Sequence, residues 1–326
     1  MANASEFHIV FDQIHNNSIT IETNAYNSFI QYLFQQNLRV GKLTASLNGE
    51  TLKPYKILIL GNAQDATYTI NEIYAILEFV RKGGSVIIFT DEGGDLSNRS
   101  NLNELTINFG FKIQPNIIYD PGQHVDKMVR PLINNFLPHP VTNEVDALVY
   151  SSGCSFEIMD QNEFAEYRDT SLQPIAFSSS TCKMKIFENQ KWTEKPAPNS
   201  IVAVAGRYFE GHVIAIGTPS LLSSLSNNYG FKARDNQKFM KNIIEWCLTP
   251  SEETFSITQV LGNRVEALIQ IEKEIFEWTM ELVARNQWGD LSNIINHSLK
   301  LFQKKLRKYN IEASVSPNIR PINNSF

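Results

Sequence analysis

The sequence predicts an α/β fold built on a parallel sheet with helices on both sides, followed by an α-helical hairpin. Three observations carry this. Within Lys56–Asp95 two runs are apolar at successive positions, Ile57–Leu60 and Val86–Phe89; strands of that kind are buried on both faces, as in parallel sheets. Between them Ile70, Ile73, Ile76, Leu77 and Val80 recur at helical spacing and Gly83-Gly84 closes the pattern, giving strand, crossover helix, strand. After Pro250 the composition changes. Phe255–Asn286 has helical periodicity throughout, and Leu291, Ile294, Ile295, Leu299, Phe302 and Leu306 mark a second helix beyond the turn Asn286–Asp290.

The other elements follow in order. Phe7–Phe11 reads as a first strand ending at Asp12, with a polar loop behind it. Tyr26, Phe29, Ile30, Leu33 and Phe34 share one helical face, so a helix spans about 24–36. Leu38–Val40 is a short strand, and Asn48-Gly49 a turn signal. Leu102–Phe109 is helical and Gly110 ends it. Phe111–Ile113 and Ile117–Tyr119 resemble edge strands, Asp120-Pro121-Gly122 is a turn, and Ala147–Tyr150 is a strand. From Ser151 to Trp192 the pattern is one of short strands and loops. Ile201–Ala205 and His212–Ile216 pair as a hairpin connected by Arg207–Gly211. Asp235 or Asn236 caps a helix, Phe239–Leu248, which Pro250 stops.

This divides the chain into an α/β domain at 1–250, a helical hairpin at 251–311 and a tail at 312–326. Two antiparallel helices with apolar faces must be covered. Leu261, Val265, Leu268, Ile275, Trp278, Leu282, Leu291, Ile295 and Phe302 are the residues that would meet the α/β domain, a second copy of the chain, or a partner protein.

Composition limits the function classes. The chain has 326 residues, 42% of them hydrophobic and 19% charged, enough for a sizeable core. Lys+Arg total 29 against 34 Asp+Glu, a net charge of -5, so no basic excess is available for a phosphate backbone and nucleic-acid binding is not expected. Cys154, Cys182 and Cys247 lie far apart without a CxxC pair, which argues against a thiolate zinc site and against a disulfide framework. No signal-peptide pattern and no long apolar run is present, so the expectation is a soluble cytoplasmic protein without membrane insertion.

Polar groups follow four of the expected strands: Asp12 with His15, Asn62, Asp91 with Glu92, and Thr218 with Ser220. In one parallel sheet these loops converge on the crevice at the carboxyl edge, where open α/β folds bind ligands. Asp12, His15, Asn62, Asp91 and Glu92 are therefore the candidate ligand residues. Carboxylates with an imidazole suit a divalent cation, or hydrogen bonds to a sugar or a water. The simpler reading is local: Asp and Asn after strands cap helices and fix turns, and Asp12 with His15 forms a hydrogen-bonded pair. Nucleophilic catalysis is not expected. The loop Thr90–Gly93 lacks the glycine-flanked serine or cysteine of a nucleophile elbow, Phe177–Thr181 has no elbow glycines, and nothing supplies Cys154 with a base. Cys247 and His139 read as structural, Arg207 as a turn charge, and Gly83-Gly84 as a helix end rather than a phosphate loop. No catalytic residue, resident metal or cofactor is expected. A hydrolase using Asp91 with His15 is the weakest of the readings.

Several stretches together resemble the GIFT domain family, named for gliding motility and intraflagellar transport. These are FDQIHNN after the first strand, KILILGNAQ, RKGGSVIIFTDEGGD, HPVTNEVDALVYSSGCSF, GRYFEGHVIAIGTPSLLSS and DNQKFMKNIIEWCL, in that order across Phe7–Leu248. The resemblance implies a three-layer, flavodoxin-like fold similar to class I glutamine amidotransferases, with Asp91 about where their nucleophilic cysteine would stand. It implies a non-catalytic module, as in an intraflagellar-transport complex B subunit, accessory proteins of bacterial transporters and a subunit of oligosaccharyltransferase, with archaeal relatives as well. Carbohydrate is the ligand it suggests for the crevice. The absence of a membrane helix and the helical C-terminal part bring the chain nearest the intraflagellar-transport arrangement, where helices after the domain bind partner subunits.

Overall fold

The computed structural model describes residues 8–159, 171–188 and 191–249, together with 260–261 and 264–265. The chain divides into two units, Met1–Glu253 and Thr254–Phe326. The first contains strands β1 (Ile9–Asp12), β2 (Val40–Leu43), β3 (Ile57–Gly61), β4 (Ser85–Phe89), β5 (Phe111–Ile113), β6 (Asn116–Tyr119), β7 (Leu132–Ile133), β8 (Asn135–Phe136), β9 (Leu148–Val149), β10 (Phe156–Ile158), β11 (Gln173–Phe177), β12 (Lys183–Glu188), β13 (Lys191–Pro196), β14 (Ile201–Tyr208) and β15 (Gly211–Ile216). Its helices are α1 (Asn27–Gln35), α2 (Gly49–Leu52), α3 (Ile70–Arg81), α4 (Gly94–Asn98), α5 (Leu102–Thr106) and α6 (Asn236–Leu248).

The main sheet has the order β2-β1-β3-β4-β15-β14-β10-β5, with β11 on β14 and β8 on β11. The run from β2 to β15 is parallel. Beyond it the pairing is antiparallel, so the sheet is mixed. The reversal comes from the expected hairpin, which is longer than the sequence pattern indicated. Its strands reach Tyr208 and Gly211, and Arg207 pairs with His212 inside the ladder rather than lying in the connection. A smaller sheet, β13-β12-β6, and the pair β7-β9 complete the unit.

Burial explains the parallel run. Ile9 and Phe11 of β1, Ile57 and Ile59 of β3, Ile87 and Phe89 of β4, and Ile214 and Ile216 of β15 enter one core, with Phe29, Ile30 and Leu33 of α1 and Phe239, Met240, Ile243 and Ile244 of α6. The alternate residues Val10, Leu58, Leu60, Val86, Ile88, Val213 and Ala215 enter the other, with Leu52 of α2, Ile73, Ile76 and Val80 of α3, and Leu102 and Leu105 of α5. Successive apolar residues are needed because successive side chains point to opposite faces.

Local signals set the helix ends. Thr69 and Glu72 form a capping box on α3: the Thr69 hydroxyl accepts from the Glu72 amide, and the Glu72 carboxylate accepts from the Thr69 amide at 2.8 Å. Gly83, at φ +94°, takes the left-handed conformation that follows a helix end. Asn48-Gly49, expected as a turn, is instead a helix start, because the Asn48 carboxamide accepts from the Glu50 and Thr51 amides. Asp235 flanks α6, but its carboxylate accepts from the Asp146 and Ala147 amides and not from the helix. The helix begins three residues before Phe239, with Asn236 buried and bonded to both backbone groups of Val149.

In the second unit Val260–Leu261 and Arg264–Val265 form a two-residue antiparallel ladder. The helix expected from Phe255 onward is corrected there: Leu261 and Val265 stand on strands. Gly262-Asn263 between them is a hairpin-turn sequence, a signal that competes with the helical spacing of the apolar residues. Leu268, Ile275, Trp278, Leu282, Leu291, Ile295 and Phe302 lie outside the described residues, as does the tail.

Candidate functional site at the carboxyl edge of the sheet

Strands β1, β3, β4 and β15 are parallel neighbours, so the loops after them reach the same edge in that order. A common crevice requires this adjacency. The side chains, however, fall into separate groups.

Asp12 is fully buried and saturated. Its carboxylate accepts from the Ile14 amide (2.9 Å), His15 Nδ1 (2.7 Å), Asn17 Nδ2 (2.9 Å) and the Tyr68 hydroxyl (2.8 Å). The other ring nitrogen of His15 faces Glu72 at 3.3 Å, and the imidazole stacks on Tyr68 with centroids 3.9 Å apart. Burial alone would lower the His15 pKa. The hydrogen bond and charge of Asp12, with Glu72 behind, outweigh it and raise the pKa above the usual imidazole range. Burial pushes Asp12 the other way, and His15 outweighs that too, holding the carboxyl below its ordinary value. Asp12 and His15 are thus a buried ion pair with every strong partner inside the protein.

Asn62 follows β3 in the left-handed conformation, φ 66°, which asparagine tolerates better than most residues. It is fully buried, and neither atom of its carboxamide has a hydrogen-bond partner among the described residues. Only its backbone is used, accepting from the Ser18 amide. Asp91 follows β4 half-buried, accepting from the Glu92 amide at 2.8 Å. Burial pushes its carboxyl up to about 7, and the Glu92 charge adds to the shift. Glu92 is exposed. Among the described residues no hydrogen bond or ion pair joins Asp91 or Glu92 to Asp12, His15 or Asn62. At the end of β15 the Thr218 hydroxyl donates to the Ser151 carbonyl and accepts from the Ser220 amide, which fixes the turn. Gly217 beside it is required by close approach, since a Cβ there would overlap the Tyr150 hydroxyl and the Cys154 carbonyl.

Tyr68, Asn17 and Glu72, which are not among the residues expected from the sequence, complete the Asp12 group. The capping-box pattern Thr69–Glu72 was a signal for Glu72; nothing local marks Tyr68. Groups capable of covalent chemistry are occupied or closed. Burial raises the thiol pKa of Cys154 and Cys247 far above the ordinary range and that of Cys182 to about 11. Ser179, in the serine-rich stretch, donates to the buried Asp120, which also accepts from Thr181 and from the Gly122 and Gln123 amides. Among the described residues no group of three or more His, Cys, Asp or Glu could hold a metal ion, and no helix is long and apolar enough to cross a membrane.

Residues 8–140, which include all five candidate ligand residues, match the family model of the IFT52 GIFT domain. Over these residues the chain is similar to a GIFT domain. The N-terminal domain of mmIFT52 superposes with a TM-score of 0.57 at 16% identity, covering 74% of this chain and 97% of that one. A cytoplasmic protein from Salmonella typhimurium gives a TM-score of 0.44 at 11% identity, over 74% of this chain and 98% of the other. A β-galactosidase from Bacillus circulans sp. alkalophilus gives 0.42 at 12% identity, over 74% of this chain and 31% of the enzyme. No curated protein matches. The chain shares the mixed α/β fold of the mmIFT52 domain.

Proposed function

We propose that the protein is a non-catalytic assembly protein of the intraflagellar-transport type, cytoplasmic or ciliary. In this reading the GIFT domain is the folded body, and residues 251–311 bind a protein partner or a second copy through Leu261, Val265, Leu268, Ile275, Trp278, Leu282, Leu291, Ile295 and Phe302. The match of residues 8–140 to the IFT52 GIFT domain carries the reading. The saturated Asp12–His15 pair supports it, because a general base must be free to accept a proton from substrate. Deletion of residues 251–326 is expected to abolish assembly, read by size-exclusion chromatography with light scattering, while far-UV circular dichroism shows the α/β unit still folded. An unchanged assembled mass in the truncated chain refutes it.

A second reading rests on Asn62. A fully buried carboxamide without a partner costs on the order of 1–3 kcal/mol, and Asp91, on the neighbouring strand end, is kept where its charge is disfavoured. Both features suit a crevice that holds a carbohydrate or another small molecule against Asn62, Asp91 and Glu92, with Asp12 and His15 fixing the adjoining β1 loop. Asp91 has a raised pKa in the folded state, so its burden is absent below the ordinary carboxyl pKa and grows as pH rises to about 7. Asp91→Asn is therefore expected to stabilise the protein by about 1–2 kcal/mol near neutrality, with no gain at pH 4, and to lose any signal on a glycan array. A variant no more stable than wild type in urea at pH 7.5 refutes the assignment.

A further inference from the structure

The end of the sheet opposite the crevice carries an unassigned groove. It lies between α2 and α3 at the amino ends of β3 and β4, with a volume of about 450 Å3, within the size range of small-molecule sites. Tyr55 and Phe79 supply aromatic walls, and Lys53, Lys56 and Lys82 stand on the lining. Gly84 keeps the floor bare: a Cβ there would come within 2.5 Å of the Phe79 ring.

The charge of this lining runs against that of the chain, whose net charge is -5. Of the two lining acids, Glu78 is already held by Arg81 at 2.6 and 2.9 Å and by Lys82 at 3.2 Å. Glu50 is the other. Lys82 and Arg81 also complement the carboxyl end of α3. Lys53 does not: it lies at the end of α2, on the connection into β3, and has no ion pair among the described residues. Lysine ammoniums on a wall of aromatic rings match a ligand that joins a phosphate to a planar ring.

We propose that this groove binds an aromatic phosphate monoester, the ring against Tyr55 and Phe79 and the phosphate on Lys53, Lys56 and Lys82. The proposal is independent of the crevice and of the C-terminal segment. Isothermal titration of the full chain at low salt, with adenosine 5′-monophosphate and with phenyl phosphate, tests it. Glycerol 3-phosphate serves as the ring-free control and adenosine as the phosphate-free one. At least one aromatic monoester is expected to bind about tenfold more tightly than either control, and more weakly as salt is raised. Preference for the nucleotide over phenyl phosphate assigns the ring to a nucleobase; equal binding assigns it to any aryl group. Lys53→Glu, an exposed change, is expected to cut affinity about tenfold at an unchanged melting temperature. Absence of binding by both monoesters, equal binding of glycerol 3-phosphate, or full affinity in Lys53→Glu overturns the proposal.

Discussion

Asp12→Ala is expected to destabilise the protein by about 3–5 kcal/mol, the usual cost of removing one partner from a buried ion pair. The magnitude follows from what is left behind. The His15 imidazole would sit buried beside Glu72 alone, while the Tyr68 hydroxyl, Asn17 Nδ2 and Ile14 amide would lose their acceptor. Each buried donor without a partner costs more than the hydrogen bond contributed. The pH dependence has a definite sign. The Asp12 pKa is lowered in the fold, so its contribution is present above the ordinary value of 3.8 and is lost as pH falls through the folded value. The His15 pKa is raised, so its contribution is full below the ordinary 6.5 and is lost as pH rises through the folded value. The pair therefore contributes most between these two ordinary values, and urea unfolding at pH 5.5 gives the largest difference. A double-mutant cycle with His15→Ala separates the pair from its neighbours. A loss below about 1 kcal/mol would mean that the pair behaves as an exposed one.

The same group shows how far the sequence could be read. The i, i+3 spacing of Asp12 and His15 made a local pair legible, and the structure contains it. Tyr68 lies 56 residues away and reaches Asp12 only because β1 and β3 are neighbours and α3 begins above them. No local pattern encodes that distance. The parallel core was legible because Ile57–Leu60 and Val86–Phe89 must satisfy two faces at once, which fixes both period and burial. Among the antiparallel strands the hairpin of β14 and β15 and the strand β9 were legible, but β7 and β8 have two residues each and β10 has three, too short for a period. Asn62 was legible as a polar residue after a strand. Its missing partners depend on what surrounds it in three dimensions. At 260–265 two sequence signals conflict, helical spacing against the dipeptide Gly262-Asn263, and the strands at 260–261 and 264–265 agree with the second.

His212→Phe is expected to gain stability over wild type as the pH falls, by about 2 kcal/mol between pH 7.5 and 4.5. The last turn of α6 is fastened by Trp246 between two imidazoles: His139 edge-on at 4.8 Å and His212 tilted at 4.2 Å. His212 also approaches the Ser85 hydroxyl, which donates to the Cys247 carbonyl at 2.9 Å and ties the helix end to the start of β4. His212 is 5% exposed. Burial lowers its pKa to about 4, and the Arg207 charge adds to the shift. Burial likewise lowers His139 to about 4, with the His212 charge as the second cause. Both rings are neutral in the fold at pH 6, where the unfolded chain already takes up protons. Stability therefore falls as pH drops from 6.5 towards 4, and the loss is complete below 4. Asp91 titrates over much of the same range with the opposite sign, so wild-type stability alone does not isolate the effect. The difference between wild type and variant does, because Asp91 is common to both. Phenylalanine preserves the ring against Trp246 and removes the proton site, at the cost of the long contact to Ser85. The measurement is urea unfolding of both proteins at pH 7.5, 6 and 4.5; a difference that stays constant would show that His212 titrates near its ordinary value in the fold and that the α6 fastening is indifferent to acid.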